Sequence, residues 1–170
     1  MTGELGDAGL AMLISKHKIA VSQQDHNYLS GRLERPSPRI REGRNLVEIA
    51  RAAIDISDGL LADLGHILEA SGVGATLYLD RIPLSAAFSS CKDKIGSDRD
   101  WIDLAIAFGD DYELCFTIDA HDRHRLQESL SGTRFTCVGE ITSSGGIRCL
   151  LENGDEYLPA SAGYNHFTDQ

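Results

Sequence analysis

The chain reads as an α+β domain: a ferredoxin-like split mixed β-sheet with helices packed on it. Two observations predict this. From Ile54 onward, strand-like and helix-like stretches follow one another in the order strand, helix, strand, then strand, helix, strand, strand, which makes two split units side by side. The first fifty residues instead carry apolar side chains at helical spacing, enough to cover more of such a sheet.

In chain order, Asp7 is placed to cap a first helix with Leu10, Leu13 and Ile14 on one face. A second helix carries Tyr28, Leu29 and Leu33 and stops before Pro36. Arg35-Pro36-Ser37-Pro38-Arg39 is a stiff extended connector, because each proline biases its predecessor away from helix. A third helix is expected from Ile40 to Arg51, with Leu46, Val47, Ile49 and Ala50 turned inward. Ala52 to Ile56 reads as a short buried strand, and Ser57-Asp58 as the opening of a helix with Leu60, Leu61, Leu64, Ile67 and Leu68 on its apolar side, ended by Ser71-Gly72. Ala75 to Leu79 alternates as a strand does. A mostly helical stretch runs from Pro83 through Trp101 to Phe108. Then follow a strand from Tyr112 to Ile118, a helix capped by Asp119 and running through Leu130, a strand from Phe135 to Ile141, and a hairpin turn at Ser143-Ser144-Gly145-Gly146 into Ile147 to Leu151. Residues 1–52 are thus expected to be a helical segment packed on the same domain, and residues 53–170 its α+β core.

Composition narrows the function. The chain has 170 residues, 26 acidic against 16 basic, and a formal net charge of −10. That balance excludes nucleic acid and anionic membrane as main partners, but not a phosphate ligand, since magnesium bridges carboxylates to phosphates. No apolar run reaches the roughly 18 residues of a membrane span, and the first residues lack the basic and apolar regions of a secretory signal. The cysteines Cys91, Cys115, Cys137 and Cys149 form no Cys-x-x-Cys pair, and read as reduced core residues of a cytoplasmic protein.

Three segments could carry chemistry. In Asp55-Ile56-Ser57-Asp58-Gly59-Leu60, two carboxylates and a hydroxyl stand where a strand passes into a helix. A helix start favours phosphate, the carboxylates repel it, and a hard cation between them resolves the conflict. The other reading is plain capping, with Ser57 or Asp58 bonding the first-turn amides. In Phe108-Gly109-Asp110-Asp111-Tyr112-Glu113-Leu114, two acids follow a glycine; they are either ligand-directed from a loop or merely solvated in a turn. The tail Gly163-Tyr164-Asn165-His166-Phe167 either docks the terminus or stacks an aromatic ring on a flat heterocycle. There is no Walker-type phosphate loop, Gly-x-Ser-x-Gly elbow or His-Glu-x-x-His helix.

Together, and in this order, these segments resemble the C-terminal domain of the thiamine-monophosphate kinases, in the superfamily of aminoimidazole ribonucleotide synthetase. The matching segments are Thr2-Gly3-Glu4-Leu5-Gly6-Asp7-Ala8-Gly9-Leu10, Arg35-Pro36-Ser37-Pro38-Arg39, Ala53 to Leu60 with Asp63-Leu64-Gly65-His66-Ile67, Asp111-Tyr112-Glu113-Leu114, and Gly163-Tyr164-x-His166-Phe167. The resemblance implies ATP- and Mg2+-dependent transfer of a phosphoryl group onto thiamine monophosphate, direct and in-line, with no protein nucleophile. It implies Asp55 and Asp58 as magnesium ligands, Ser57 in contact with ATP, and Asp110 and Tyr164 in contact with the substrate. It also implies an N-terminal domain that supplies further metal ligands and a homodimer interface, so that this segment alone would be inactive. Two residues depart from the family's usual Gly-Gly-Glu-Asp: Asp110 stands for the glutamate, one methylene shorter, and Phe108 for a glycine, adding bulk near the pocket. A non-catalytic binding domain of the same fold, and a related enzyme with another acceptor, are the alternatives.

Overall fold

The computed structural model describes residues 1–17, 19–161 and 163. Among these residues, seven α-helices and six strands follow in chain order: α1 Asp7–His17, α2 Gln23–Glu34, α3 Ile40–Leu46, β1 Ala50–Asp55, α4 Leu60–Ser71, β2 Gly74–Tyr78, α5 Ala86–Ile95, α6 Asp98–Ala107, β3 Leu114–Ile118, α7 Arg123–Ser129, β4 Gly139–Thr142, β5 Gly146–Leu150 and β6 Glu156–Tyr157. The architecture is α+β, and the split of the sheet is complete. Strands β1 and β3 form an antiparallel pair, with Asp55 opposite Leu114. The other four lie in the order β4-β2-β5-β6, with β2 antiparallel to β4 and parallel to β5.

Helix α4 joins the two sheets. Its Leu60, Leu61, Leu64, Ile67 and Leu68 fall on one stripe at helical spacing and are all buried. It stops at Gly72, whose φ of 64° is left-handed and whose N–H bonds back to Glu69 and Leu68 carbonyls, an ending that glycine adopts without steric cost. The same core takes Leu5, Leu10 and Leu29 from the N-terminal residues and Phe88, Ile102 and Ile106 from α5 and α6. A smaller core gathers Leu46, Ile49, Leu126 and Leu130 between α3 and α7.

Several local expectations are corrected. Helix α3 ends at Leu46, where a turn closed by Ile49 N–H to Leu46 O at 2.9 Å swings Ile49 into the smaller core and leaves Val47 78% exposed. Strand β1 is a sheet edge, with Arg51, Ala53 and Asp55 exposed on alternate positions, so it is not buried. Asp7 lies inside the first turn of α1, and its carboxylate accepts from the Ser85 hydroxyl rather than from helix amides. Asp119 makes no cap either; its carboxylate pairs with Arg51. Cys91, Cys115 and Cys149 are buried free thiols, whereas Cys137 is exposed.

The turn at residues 143–146 does not close a hairpin. Strands β4 and β5 lie on opposite sides of β2, and the connection crosses the start of β2 at Gly74. A Cβ at Gly74 would sit 1.7 Å from the Ser144 carbonyl oxygen, so the crossing depends on that hydrogen side chain. Strand β4 is also shorter than expected, because residues 134–136 pair with the chain's first residues: Thr136 N–H donates to Met1 O at 2.9 Å and Gly3 N–H to Arg134 O at 3.0 Å. Gly74→Ala should cost about 2 kcal/mol or more, since the obstruction is backbone and cannot rotate away. Urea unfolding checks this, and an unchanged midpoint would contradict the crossing.

Candidate functional site

The candidate residues meet where β1 ends. Beyond Asp55, the chain leaves the strand but keeps its neighbour: Ile56 N–H donates to Glu113 O at 2.8 Å, Tyr112 N–H to Ile56 O at 2.9 Å, and Asp110 N–H to Ser57 O at 3.0 Å. The strand–helix junction and the 108–113 loop are therefore one backbone-bonded unit. Gly109 permits this approach, as a Cβ there would lie 1.9 Å from the Ser57 oxygen. Asp55, Ser57, Asp58 and Asp110 share this unit; Asp55 is exposed and the other three are half-buried.

The loop holds two non-glycine residues at left-handed backbone angles, Asp110 at φ 67° and Tyr112 at φ 52°. Such conformations cost on the order of 1–3 kcal/mol each and concentrate at ligand sites. Phe108 does not crowd the junction; its ring lies over Gly9 of α1, where a Cβ would come within 2.7 Å of it.

Neither Ser57 nor Asp58 caps α4. The helix begins two residues after Asp58, and its N-cap, Gly59, makes no side-chain cap bond. Asp63 instead reaches back to hold the segment ahead of the helix. Its Oδ2 accepts the Ser57 N–H at 2.9 Å and the Asp58 N–H at 3.0 Å. Burial raises the Asp63 carboxyl above its ordinary value; the two amides oppose the rise, while the charges of Asp58 and Asp55 add to it. Like-charged carboxylates are thus gathered at this junction.

A buried polar network fastens the loop from behind. Glu113, 1% exposed, accepts two bonds from Arg39, Nε at 2.7 Å and Nη2 at 2.6 Å. Arg32 Nη2 adds 3.2 Å and the Thr2 hydroxyl 2.7 Å. Asp111 accepts the Gly6 N–H at 2.8 Å. The Thr2–Asp7, Arg35–Arg39 and Asp111–Leu114 segments singled out in the sequence are therefore partners in one network. Glu113, Arg32, Arg39 and Asp63 were given no role in the sequence. The signals present are an acid at the head of an apolar strand and an acid in the first turn of a helix.

A groove of about 320 Å³ lies beside Asp55, lined also by Pro38, Arg39, Ile40, Tyr112 and Leu114. A larger depression of about 420 Å³ lies between α3 and α7, among Arg44, Val47, Arg125 and Glu128, and contains none of the candidate residues. Among the described residues, Asp119, His121 and Asp122 stand close enough together to hold an ion, but Asp119 already pairs with Arg51 and Asp122 with Arg125. Tyr164 and His166 lie outside the described residues. Gly163 does not: a Cβ there would be 2.9 Å from the Asp58 carbonyl oxygen and 2.6 Å from the Ala62 methyl, so the residue just before Tyr164 sits against the junction.

Residues 1–152 match the family described as AIR synthase related protein, C-terminal domain, and the chain belongs to that family. It is 41% identical over 171 residues to the thiamine-monophosphate kinase of Escherichia coli K12, covering 98% of this chain and 51% of that one. Among solved structures, the thiamine-monophosphate kinase of Stenotrophomonas maltophilia K279a superposes with a TM-score of 0.77 at 40% identity, over 92% of this chain and 49% of that one. AaThiL complexed with AMPPCP and TMP superposes with a TM-score of 0.78 at 28% identity, over 98% and 50%. The chain spans about half the length of the curated relatives it matches.

Burial pushes the Asp111 carboxyl from 3.8 up to about 7; the Gly6 amide opposes the rise and the Asp7 charge adds to it. A raised acid holds its proton in the folded state after the unfolded chain has released it. Its contribution to stability is therefore full below pH ~4 and lost as pH rises through about 7. Asp111→Asn removes that loss, so its thermal midpoint should gain on wild type between about pH 5 and 8. A constant difference across that range would contradict the protonated form.

Proposed function

We propose that this chain is the C-terminal half of a thiamine-monophosphate kinase, transferring the γ-phosphoryl group of ATP to thiamine monophosphate in the synthesis of thiamine diphosphate. The observation that carries the reading is the backbone-bonded unit of residues 55–58 and 108–113, which puts Asp55, Ser57, Asp58 and Asp110 in one patch. The match to kinases over 98% of the chain supports it, as does the likeness to a structure complexed with AMPPCP and TMP.

Magnesium fits the residues present. The donors are carboxylate oxygens, which suit a hard cation, and Asp55 and Asp58 stand near enough to Asp63 for their charges to add to the rise that burial causes in its carboxyl. Asp55 and Asp58 would hold it, and it would neutralise phosphate charge. Two carboxylates match the small protein share that magnesium takes when phosphates and water complete its shell. Ser57 offers a hydroxyl to a phosphate oxygen, and Asp110 and Tyr164 contact the thiamine phosphate. The chain's own work is positioning and electrostatics, which is most of what phosphoryl transfer requires. In this reading the other half of the protein supplies further acids and a homodimer interface, and the enzyme works in the cytoplasm. No described helix is long and apolar enough to cross a membrane.

The test is the chain joined to, or mixed with, the N-terminal half its relatives carry. Labelled ATP and thiamine monophosphate should give labelled thiamine diphosphate. Asp55→Asn should cut turnover by at least about tenfold and raise the magnesium requirement. No product from an assembled pair would refute the kinase, and unchanged kinetics would remove Asp55 from the metal.

A further inference from the structure

The strand-to-helix junction is held by a side chain to which the sequence assigns no role in the chemistry. Asp63 is 3% exposed and sits in the first turn of α4. A single oxygen, Oδ2, accepts both the Ser57 and the Asp58 N–H, six and five residues back. On the other side of the same segment, the Ser57 carbonyl accepts the Asp110 N–H at 3.0 Å. Both polar backbone groups of Ser57 are thus occupied inside the protein, as is the Asp58 N–H.

This arrangement has a chemical consequence. Free amides ahead of a helix would attract a bare phosphate. Here the two amides immediately before Gly59 turn inward to a carboxylate, so Ser57 reaches a ligand through its hydroxyl and Asp58 through its carboxylate. The segment is prepared for a cation that carries a polyphosphate, and against the anion alone.

We infer that Asp63 is a positioning residue: by accepting the Ser57 and Asp58 amides it sets the backbone from which those two side chains meet a metal-chelated polyphosphate. This rests on the functional reading above. The acid touches neither the nucleotide nor the acceptor and acts only through the loop it holds.

The variants Asp63→Asn and Asp63→Ala separate position from charge. Both amides go to one oxygen, so the asparagine amide oxygen can accept both, whereas alanine accepts neither. In the metal-free protein, hydrogen exchange at the Ser57 and Asp58 amides should stay slow in Asp63→Asn and become fast in Asp63→Ala. In the protein joined to its other half, Asp63→Ala should weaken Mn2+ binding and raise the Mg2+ needed for half-maximal rate by roughly 10–100-fold, the usual effect of losing an outer partner of a metal site. Asp63→Asn should remain within about threefold of wild type. Equal damage in both variants, or altered melting with unchanged Mn2+ affinity and Mg2+ requirement, would overturn the inference. If Asp63→Ala does not fold, Asp63→Glu, which shifts the acceptor by one methylene, carries the same test: a raised Mg2+ requirement and weaker Mn2+ binding support the role, and wild-type values overturn it. A wild-type protein that binds Mn2+ but transfers no phosphoryl group refutes the kinase alone, with Asp63 still judged by Mn2+ affinity and exchange. Absence of Mn2+ binding in wild type overturns the inference.

Discussion

Glu113 is the side chain on which the rest of the structure depends. It is fully buried at the head of β3, and four groups from three distant segments converge on it: two nitrogens of Arg39, one of Arg32 and the hydroxyl of Thr2. A carboxylate so placed must be matched, because stranding one member of a buried ion pair costs about 3–5 kcal/mol. The matched geometry fixes the extended connector before α3, the first residues of the chain and the 108–113 loop relative to one another. It also supports the left-handed angles of Asp110 and Tyr112, which a loosely held loop would relax. The bidentate fork at Arg39 is a job for arginine that lysine could not take over.

In front of that anchor the acids are held differently. Behind the loop Arg32 and Arg39 meet Glu113, and Arg32 also faces buried Asp7 at 3.6 Å; at the junction burial raises the Asp63 carboxyl, and the charges of Asp58 and Asp55 add to the rise. Asp63 is stabilised by backbone amides, and Asp55 projects from an edge strand beside the groove with Tyr112 and Arg39. The fold thus uses its part-buried arginines to hold the loop, while Asp55 stands exposed at the junction.

Much of this was legible in the sequence. Helix α4 announced itself through Leu60, Leu61, Leu64, Ile67 and Leu68 and through Gly72, because helical periodicity and a left-handed stop are local properties. The α+β class followed from element order, and the acids of the junction and of the 108–113 loop from their company with serine and glycine. What stayed hidden depends on tertiary contact. The Arg39–Glu113 bond spans 74 residues and the Arg32–Glu113 bond 81, and no spacing rule reaches that far. Ser57 and Asp58 look like helix caps in the sequence, but they stand ahead of the N-cap Gly59 and their own amides are taken by Asp63. The 143–146 turn looks like a hairpin, but β2 lies between its arms. Val47 fits a helical stripe, but the chain has already turned toward β1 and leaves it exposed.

The central claim is that the acids at the end of β1 recruit a divalent ion that tethers a polyphosphate. Anomalous diffraction from crystals of the protein grown with Mn2+ and a non-hydrolysable ATP analogue tests it most directly. The account predicts a manganese peak bonded to Asp55 and Asp58, with a phosphate oxygen in its shell and the Ser57 hydroxyl beside the phosphate. Manganese held only at Asp119, His121 and Asp122, or a nucleotide bound away from the junction, would contradict it.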